Sequence, residues 1–129
     1  MTAQGPDTRA VVRELVAGVT PLDEHEARDA ADMLQWIESG ASLFRITPPA
    51  TPDKHICVYL ALLDDTRHSV LLVDHIKAGL WLFPGGHVDE HEDPRTTVLR
   101  EGAEELGIAG RFQHPHRSSD PVTLVATSV

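Results

Sequence analysis

The feature that most constrains the fold is the stretch REGAEELG, Arg100–Gly107, which gathers three glutamates within a few residues. Glu101, Glu104 and Glu105 stand at positions i, i+3 and i+4, which share one face of a helix. Like charges at this spacing repel each other by about 0.2–0.5 kcal/mol per pair. Such a face has to meet water or a cation, so an apolar surface cannot cover it.

Residues at both ends of this stretch mark the boundaries of a helix. Asp93 is a suitable N-cap, and Pro94 fits the first helical position. Gly107 is placed to end the helix in the left-handed conformation, with Ile108 packing back on the last turn. Four apolar residues are expected on the buried side: Val98, Leu99, Ala103 and Leu106.

Short β-rich runs precede this helix. HICVYLALLDD and SVLLVDH are separated by DDTRH, which suits a hairpin turn. AGLWLF is a third strand that PGG stops, and a loop, HVDEHE, leads on to the helix. Trp81 and Phe83 alternate along the third strand, and we expect them to pack in the core rather than to stack on a base. The run PVTLVATSV predicts a final strand at the end of the chain.

The first forty residues have the pattern of two helices. Asp7 or Thr8 can cap the first helix. Thr20 is the expected N-cap of the second, with Pro21 at its first position and Gly40 at its end. The second helix has an apolar stripe formed by six residues: Leu22, Ala27, Ala30, Ala31, Leu34 and Ile37. We expect the pair to pack as an extension that caps or dimerises the rest of the chain.

Length and composition indicate an ordinary globular protein. The chain has 129 residues, of which 41% are hydrophobic and 24% charged. The Pro-rich connector TPPATPDKH predicts a helical extension over residues 1–46 and a domain over residues 47–129. The single cysteine, Cys57, fits a reducing compartment and is expected to be an inert buried thiol. Since the N-terminus lacks a secretory signal and the longest apolar run, Ile56–Leu63, is too short to span a bilayer, we expect a cytoplasmic protein without membrane contact.

The net charge of −9 is concentrated around the acidic helix. Residues 83–108 contain seven acidic side chains and two arginines. A surface that binds duplex nucleic acid needs a basic stripe, and the sequence has none. The sequence therefore excludes a duplex-binding protein and favours a site for cations.

Carboxylate oxygens are the ligands that Mg²⁺ and Mn²⁺ prefer. A divalent ion between the glutamates turns their repulsion into attraction. Gly85 and Gly86 allow the backbone to come close, so that a carbonyl can join the ligands. Mg²⁺ keeps positions open for water and substrate phosphates. Such an ion can neutralise phosphate charge and help to generate a nucleophile from bound water.

The spacing of these residues is more specific than a cluster of acids. From Gly86 the chain follows the pattern G-x5-E-x7-RE-x2-EE-x-G, and apolar Ile108 comes next. This pattern resembles the Nudix box, and Gly86–Ile108 satisfies every charged and glycine position of it. The preceding LWLFPGG is similar to the strand and turn that lead into the box. The resemblance identifies the chain as a member of the Nudix hydrolases, which cleave nucleoside diphosphates linked to another group.

The resemblance implies a role for each matching residue. The metal-ligand positions are four: Gly86, Glu101, Glu104 and Glu105. One of the three glutamates can also take the proton from the attacking water, since the base differs among family members. Glu92 and Gly85 are expected to support the metal site. Arg100 is expected to orient the carboxylates and is counted with the glutamates in the catalytic machinery, whereas the residues that bind substrate stay unknown.

The resemblance also implies a fold and a reaction. The fold is an α/β (α+β) class α/β/α sandwich with a mixed sheet, in which the box forms loop–helix–loop. The reaction is hydrolysis of the pyrophosphate linkage of a small nucleoside diphosphate derivative with Mg²⁺ or Mn²⁺. Only 21 residues follow Ile108, where relatives usually continue with further strands and a helix. We therefore expect a domain shortened at its C-terminus, with an open sheet edge that a homodimer can cover. The alternative is a catalytically weak or inactive Nudix-like module that binds a nucleotide or a partner.

Two residues depart from the usual pattern. Gly102 stands where relatives usually have a larger apolar residue and costs about 1 kcal/mol of helix propensity relative to alanine; one interpretation is that it allows close packing on the sheet. His91 stands where relatives often have glycine, and it is strained if the loop needs a positive φ. His87 and His91 flank the acidic loop and are expected either to be exposed or to touch substrate phosphate. His114 and His116, in HPH, are expected in a surface loop.

Overall fold

The structure is a computed structural model, and it describes residues 7–46, 52–64 and 66–110. The described residues fall into two compact units, residues 7–43 and residues 44–110. The expected final strand, the HPH histidines and most of the Pro-rich connector lie outside the described residues. The domain boundary that the connector suggests stays a prediction.

The first unit is a pair of helices, α1 (Thr8–Ala17) and α2 (Glu24–Glu38). Asp7 is the N-cap of α1, and its carboxylate accepts hydrogen bonds from the backbone N–H groups of Arg9 and Ala10. The core of the pair consists of apolar residues from both helices and the segment that follows: Val12, Val16, Ala30, Ile37 and Leu43. In the part of the chain that the structure describes, no helix has the length and apolarity needed to cross a membrane.

Helix α2 begins three residues later than the sequence predicted. Its N-cap is Asp23 rather than Thr20, because Asp23 accepts a hydrogen bond from the backbone N–H of Glu26 at 2.8 Å. In return the Glu26 carboxylate accepts from the backbone N–H of Leu22 at 2.6 Å. This reciprocal pair satisfies two N–H groups that would otherwise lack partners. Pro21 therefore precedes the helix.

The predicted apolar stripe of α2 is wrong in part. Leu22 lies before the helix, and 88% of its surface is exposed. Ala27 and Ala31 are also exposed. Gly40 was predicted correctly, since it follows the C-cap with a left-handed φ of 79°.

The second unit contains six short strands: β1 (Cys57–Tyr59), β2 (Leu63–Asp64), β3 (Ser69–Val70), β4 (Val73–His75), β5 (Leu80–Leu82) and β6 (Gly85–His87). Among the described residues they form three antiparallel pairs, β1 with β6, β2 with β3 and β4 with β5. Helices and strands together confirm the α/β class. The hairpin at DDTRH is confirmed, and the carboxylate of Asp64 accepts from the backbone N–H groups of Thr66 and Arg67 to close its turn.

Strand β6 was not predicted, because its PGG sequence resembles a turn. Gly85 and Gly86 pair with Tyr59 and Val58 of β1. A Cβ atom at Gly85 would collide with the carbonyl oxygen of Val58, so only glycine lets the two backbones approach this closely. The strand therefore forms because glycine lets the backbones of β1 and β6 approach closely, an effect that β propensity does not measure.

The prediction that Trp81 and Phe83 pack in the core is wrong. In the structure 66% of the Trp81 surface and 41% of the Phe83 surface are exposed. Trp81 lies in β5, which pairs with β4 alone among the described strands, and Phe83 follows that strand. Alternation along the sequence did not indicate which side chains are covered.

Helix α3 (Pro94–Leu106) has the predicted ends. Asp93 is the N-cap and accepts from the backbone N–H of Arg95 at 2.9 Å. Gly107 adopts φ of 66°, and its N–H donates to the carbonyl of Ala103. The helix contacts β1 and β6.

The buried face of α3 differs from the predicted one. Its buried residues are Pro94, Thr97, Glu101 and Gly102. Ala103, which was expected to be buried, is exposed, and the other three predicted residues are half-buried. A Cβ atom at Gly102 would lie 3.3 Å from Cδ2 of Leu60. This glycine therefore lets the helix pack closely on the segment after β1.

Candidate active site

Strand β6 and helix α3 bring Gly86 and Glu101 together. A Cβ atom placed on Gly86 would overlap the carboxylate of Glu101. Glycine at this position therefore makes the room in which the carboxylate lies. Only 9% of the Glu101 side chain is exposed, which is unusual for an ionisable residue.

The surroundings of Glu101 disfavour its negative charge. Burial raises the pKa of Glu101, and the charges of Glu104 and Glu105 raise it further, while Arg100 acts in the opposite direction. A raised pKa means that the surroundings disfavour the ionised form. A cation at this carboxylate would remove that penalty.

Arg100 is the hub of the site. Its guanidinium donates to Glu92 through Nε at 3.1 Å and Nη2 at 2.9 Å, and to Glu101 through Nη1 at 3.0 Å. It also donates to Glu104 at 3.5 Å and to the backbone carbonyl of His87 at 3.3 Å. The bond to Glu92 is the main reason why the pKa of Arg100 lies above its ordinary value. The guanidinium of Arg100 thus contacts several carboxylates at once; that it orients them for catalysis stays a prediction.

Glu92 supports Arg100 from the loop before α3. Besides the two bonds from Arg100, its carboxylate accepts a hydrogen bond from the hydroxyl of Thr97, which is fully buried. The hydrogen bond from Arg100 is the main reason that the pKa of Glu92 lies below its ordinary range. Thr97 was not identified from the sequence, although its place on the buried face, four residues before Glu101, was a usable signal.

The other two glutamates lie towards solvent. The side chain of Glu104 is 58% exposed, and Glu105 is exposed as well. In the part of the chain described, their carboxylates and that of Glu101 are not among the groups whose ligand atoms already converge. The structure therefore brings Gly86, Glu101 and Arg100 together, whereas Glu104 and Glu105 would have to turn inward to share an ion with Glu101.

The donors at this site suit a hard divalent ion. The side chains are carboxylates, and the backbone at Gly86 lies beside the most buried of them. Gly85, the other expected supporting residue, holds β6 against β1 and contributes no side chain. The charge balance, the space at Gly86 and the oxygen ligands all fit Mg²⁺ or Mn²⁺.

Cys57 and His87 differ from expectation, whereas His91 does not. Cys57 is half-buried rather than fully buried, and its Sγ lies 3.4 Å from Nδ1 of His87; that the thiol is inert stays a prediction. His87 is also half-buried and contacts His55, which the sequence analysis did not single out. The usable signal was the spacing of His55 and Cys57, since residues two apart on a strand share a face. His91 is exposed and has φ of 68°, the strained conformation that the sequence analysis anticipated.

Comparisons with known proteins agree with this geometry. The NUDIX domain family matches residues 53–125. "Nucleoside diphosphate-linked moiety X motif 6" from Xenopus laevis is 34% identical over 91 residues, which cover 69% of this chain and 40% of the relative. "8-oxo-dGTP diphosphatase" from Proteus vulgaris is 38% identical over 56 residues, which cover 43% of each protein. The chain thus spans about two-fifths of these relatives. No solved structure matches the chain.

Proposed function

Because the chain belongs to the Nudix family, we propose that it is a pyrophosphohydrolase that uses Mg²⁺ or Mn²⁺ to cleave a nucleoside diphosphate derivative. The observation that carries the proposal is Glu101, a carboxylate buried against Gly86 with a raised pKa. Arg100 offsets part of the cost of burying this charge, and a divalent ion would offset the rest. The proposal is therefore one of metal-assisted hydrolysis.

The residues have separate tasks in this proposal. Glu101, Glu104 and Glu105 would hold the ion together with the backbone at Gly86. The chemistry that such an ion would supply is neutralisation of phosphate charge and a lower pKa for water near it. Glu104 and Glu105 are exposed, so either can accept the proton of a water that attacks from the solvent side. The water oxygen forms a bond to phosphorus, and the bond from phosphorus to the bridging oxygen breaks.

Arg100 is a positioning residue in this proposal. Its donors are directed to carboxylates and to the carbonyl of His87, so it acts through the glutamates. Glu92 and Thr97 fix the guanidinium in place. This arrangement holds Glu101 beside Gly86 before substrate arrives, which is the preorganisation that catalysis requires.

The names of the relatives suggest the substrate class. One is named for a nucleoside diphosphate linked to a further group, and the other for 8-oxo-dGTP. Both describe small molecules in which a nucleoside carries a chain of phosphates. We propose the same class for this chain, together with two further predictions, a cytoplasmic location and a homodimer, which fractionation and light scattering test.

Turnover tests the proposal directly. The full chain is incubated with Mg²⁺ and a panel of nucleoside triphosphates, 8-oxo-dGTP, dinucleotides and nucleotide sugars, and the products are separated by chromatography. We expect cleavage of at least one compound, loss of that cleavage in Glu104→Gln, and unchanged cleavage in Glu24→Gln, an exposed control on α2. If no compound is cleaved and Glu104→Gln matches the wild type, the proposal is wrong. Nucleotide binding that is independent of Mg²⁺, without turnover, would favour the binding module instead.

A further inference from the structure

A second group of metal-binding side chains lies on the paired strands β1 and β6. Cys57 of β1 is the cross-strand partner of His87 of β6. His55 precedes Cys57 by two residues, so the extended chain presents both on the same side. Within the described part of the chain, these three residues form the group whose possible ligand atoms all lie within 4.8 Å of one another.

This group is separate from the carboxylate site. Side chains alternate between the two faces of a strand, and Gly86 faces Glu101 of α3. His87 follows Gly86 directly and therefore points to the opposite face, as does its partner Cys57. The two sets of ligands lie on different sides of the same strand pair.

The atoms of the group already converge. Nε2 of His55 lies 2.8 Å from Nδ1 of His87, and Sγ of Cys57 lies 3.4 Å from the same Nδ1. The two imidazole rings are tilted by 45° with centroids 4.8 Å apart, so they meet at their edges and are not stacked. All three residues are half-buried.

The hydrogen bonds of His55 fix which atom faces the group. Nδ1 of His55 lies 2.7 Å from the carbonyl oxygen of Pro52. A carbonyl only accepts, so Nδ1 carries the proton and Nε2 presents its lone pair to His87. This arrangement is typical of a histidine that binds a metal, because the outer carbonyl fixes the tautomer. Nδ1 of His87 can carry one proton at most, and that proton cannot make a full hydrogen bond to both Nε2 of His55 and Sγ of Cys57.

The protonation states are compatible with metal binding. Neutral imidazole nitrogens and a thiolate sulfur are the forms of these side chains that bind a metal. Burial raises the pKa of the Cys57 thiol, whereas Arg45 lowers it. A bound metal removes the thiol proton, as it does at other thiolate sites.

We propose that His55, Cys57 and His87 bind one zinc ion. Two imidazoles and a thiolate suit Zn²⁺ and not Mg²⁺. With Zn–N bonds of about 2.0–2.1 Å and a Zn–S bond of about 2.3 Å, a tetrahedral site places its nitrogens about 3.3 Å apart and its sulfur about 3.6 Å from each. The two nitrogens therefore have to separate by about 0.5 Å, which side-chain rotation allows.

The zinc site would have two consequences. It ties the segment before β1 to the end of β6, and so stabilises the strand that presents Gly86 to Glu101. Three protein ligands leave the fourth tetrahedral position open for water or an added ligand. Neither consequence depends on the hydrolase activity proposed above.

Cobalt provides the spectroscopic test. The full chain is stripped with a chelator and titrated with Co²⁺ in excess Mg²⁺, which keeps the carboxylate site occupied. We expect a thiolate-to-cobalt charge-transfer band that saturates at one equivalent and disappears on addition of Zn²⁺. Cys57→Ser and His55→Gln should lose the band. His75→Gln, an exposed histidine of the same unit, and Glu104→Gln should keep it.

A second measurement uses the wild-type chain alone. Cys57 is the only cysteine, so reaction with dithionitrobenzoate reports on this thiol. We expect Zn²⁺ to slow the reaction by about tenfold or more, because a coordinated thiolate is protected. The proposal is overturned if saturating Co²⁺ gives no thiolate band, or if Zn²⁺ leaves the thiol reaction rate unchanged. It is also overturned if the cobalt spectrum is lost only in Glu104→Gln, since the ion would then lie at the carboxylates.

Discussion

Helices α2 and α3 are both acidic, but they handle their charges differently. α2 carries five acidic residues in 15, and α3 carries three in 13. On α2 two acidic residues contact different basic side chains: Asp29 lies 3.6 Å from His25, and Glu38 lies 3.1 Å from Arg13. On α3, by contrast, two glutamates share the guanidinium of Arg100 with the loop residue Glu92.

The comparison teaches that the number of acids is a poor indicator of a site. The Arg13–Glu38 pair beside α2 is exposed, and exposed pairs contribute about 0–1 kcal/mol. The carboxylate of Glu101 is buried, so its pairing with Arg100 is opposed by a desolvation penalty. Convergence, burial and a shared cation distinguish a functional cluster from a solvated face.

The largest expected effect comes from removing the carboxylate of Glu101 on α3, compared with removal of one carboxylate on α2. Glu101→Gln should lower kcat/KM by at least about 100-fold, because even groups behind a metal ligand contribute about 10–100-fold. It should also abolish the rise in melting temperature that Mg²⁺ gives the wild type. Asp29→Asn on α2 is the matched control and should leave both quantities unchanged. If both variants change kcat/KM and the melting temperature equally, the two helices do not differ in function and the prediction is wrong.

The second prediction concerns the two arginines that bind glutamates. Arg100→Lys should lower activity by about 10–100-fold, since an ammonium group cannot keep the paired bonds to Glu92 while it also reaches Glu101. Arg13→Lys, beside Glu38, should change the free energy of unfolding by less than about 0.5 kcal/mol and leave activity unchanged. Steady-state kinetics and urea denaturation measure both. Full activity in Arg100→Lys would show that the guanidinium fork is dispensable.

Local signals predicted the ends of α3, whereas the contacts around it required the structure. Asp93 and Gly107 contact backbone groups only a few residues away, so the local sequence is enough to predict that they end the helix. The predicted start of α2 was wrong because Thr20 and Asp23 are both good N-caps, and only the reciprocal bonds of Asp23 and Glu26 decide between them.

Longer-range features were missed for a different reason. Strand β6 depends on the close approach of two backbones, which propensity does not encode. The contact of Cys57 with His87 joins residues 30 positions apart, and the network of Thr97 depends on which side of α3 packs on the strands. The box pattern did identify Glu92, Arg100 and Glu101 as neighbours, because a long motif with fixed spacing encodes a three-dimensional arrangement.

Acid should affect the α3 network through Glu92. Its pKa lies below its ordinary value of 4.5 mainly because Arg100 donates to it. A carboxylate with a lower pKa in the folded than in the unfolded protein stabilises the fold above the unfolded value, and this stabilisation is lost as pH falls through the folded value. Between pH 4.5 and the folded pKa of Glu92, Glu92→Gln should therefore lose less free energy of unfolding than the wild type. Urea denaturation at stepped pH measures the two slopes, and parallel curves would contradict the prediction.

The smallest expected effect lies in the turns beside the two helices. Gly40, after α2, has φ of 79°, whereas His91, before α3, has φ of 68° with a side chain attached. Relief of the left-handed penalty, less the added entropy of the unfolded chain, should make His91→Gly more stable by about 0.5–1 kcal/mol. His91→Ala should bring no such gain, because alanine keeps the penalty. Gly40→Ala should cost a similar amount, since no atom lies within 4 Å of the added Cβ and the effect is purely one of backbone conformation. If His91→Gly and His91→Ala have the same free energy of unfolding in denaturant, the positive φ of His91 costs no stability and the prediction is wrong.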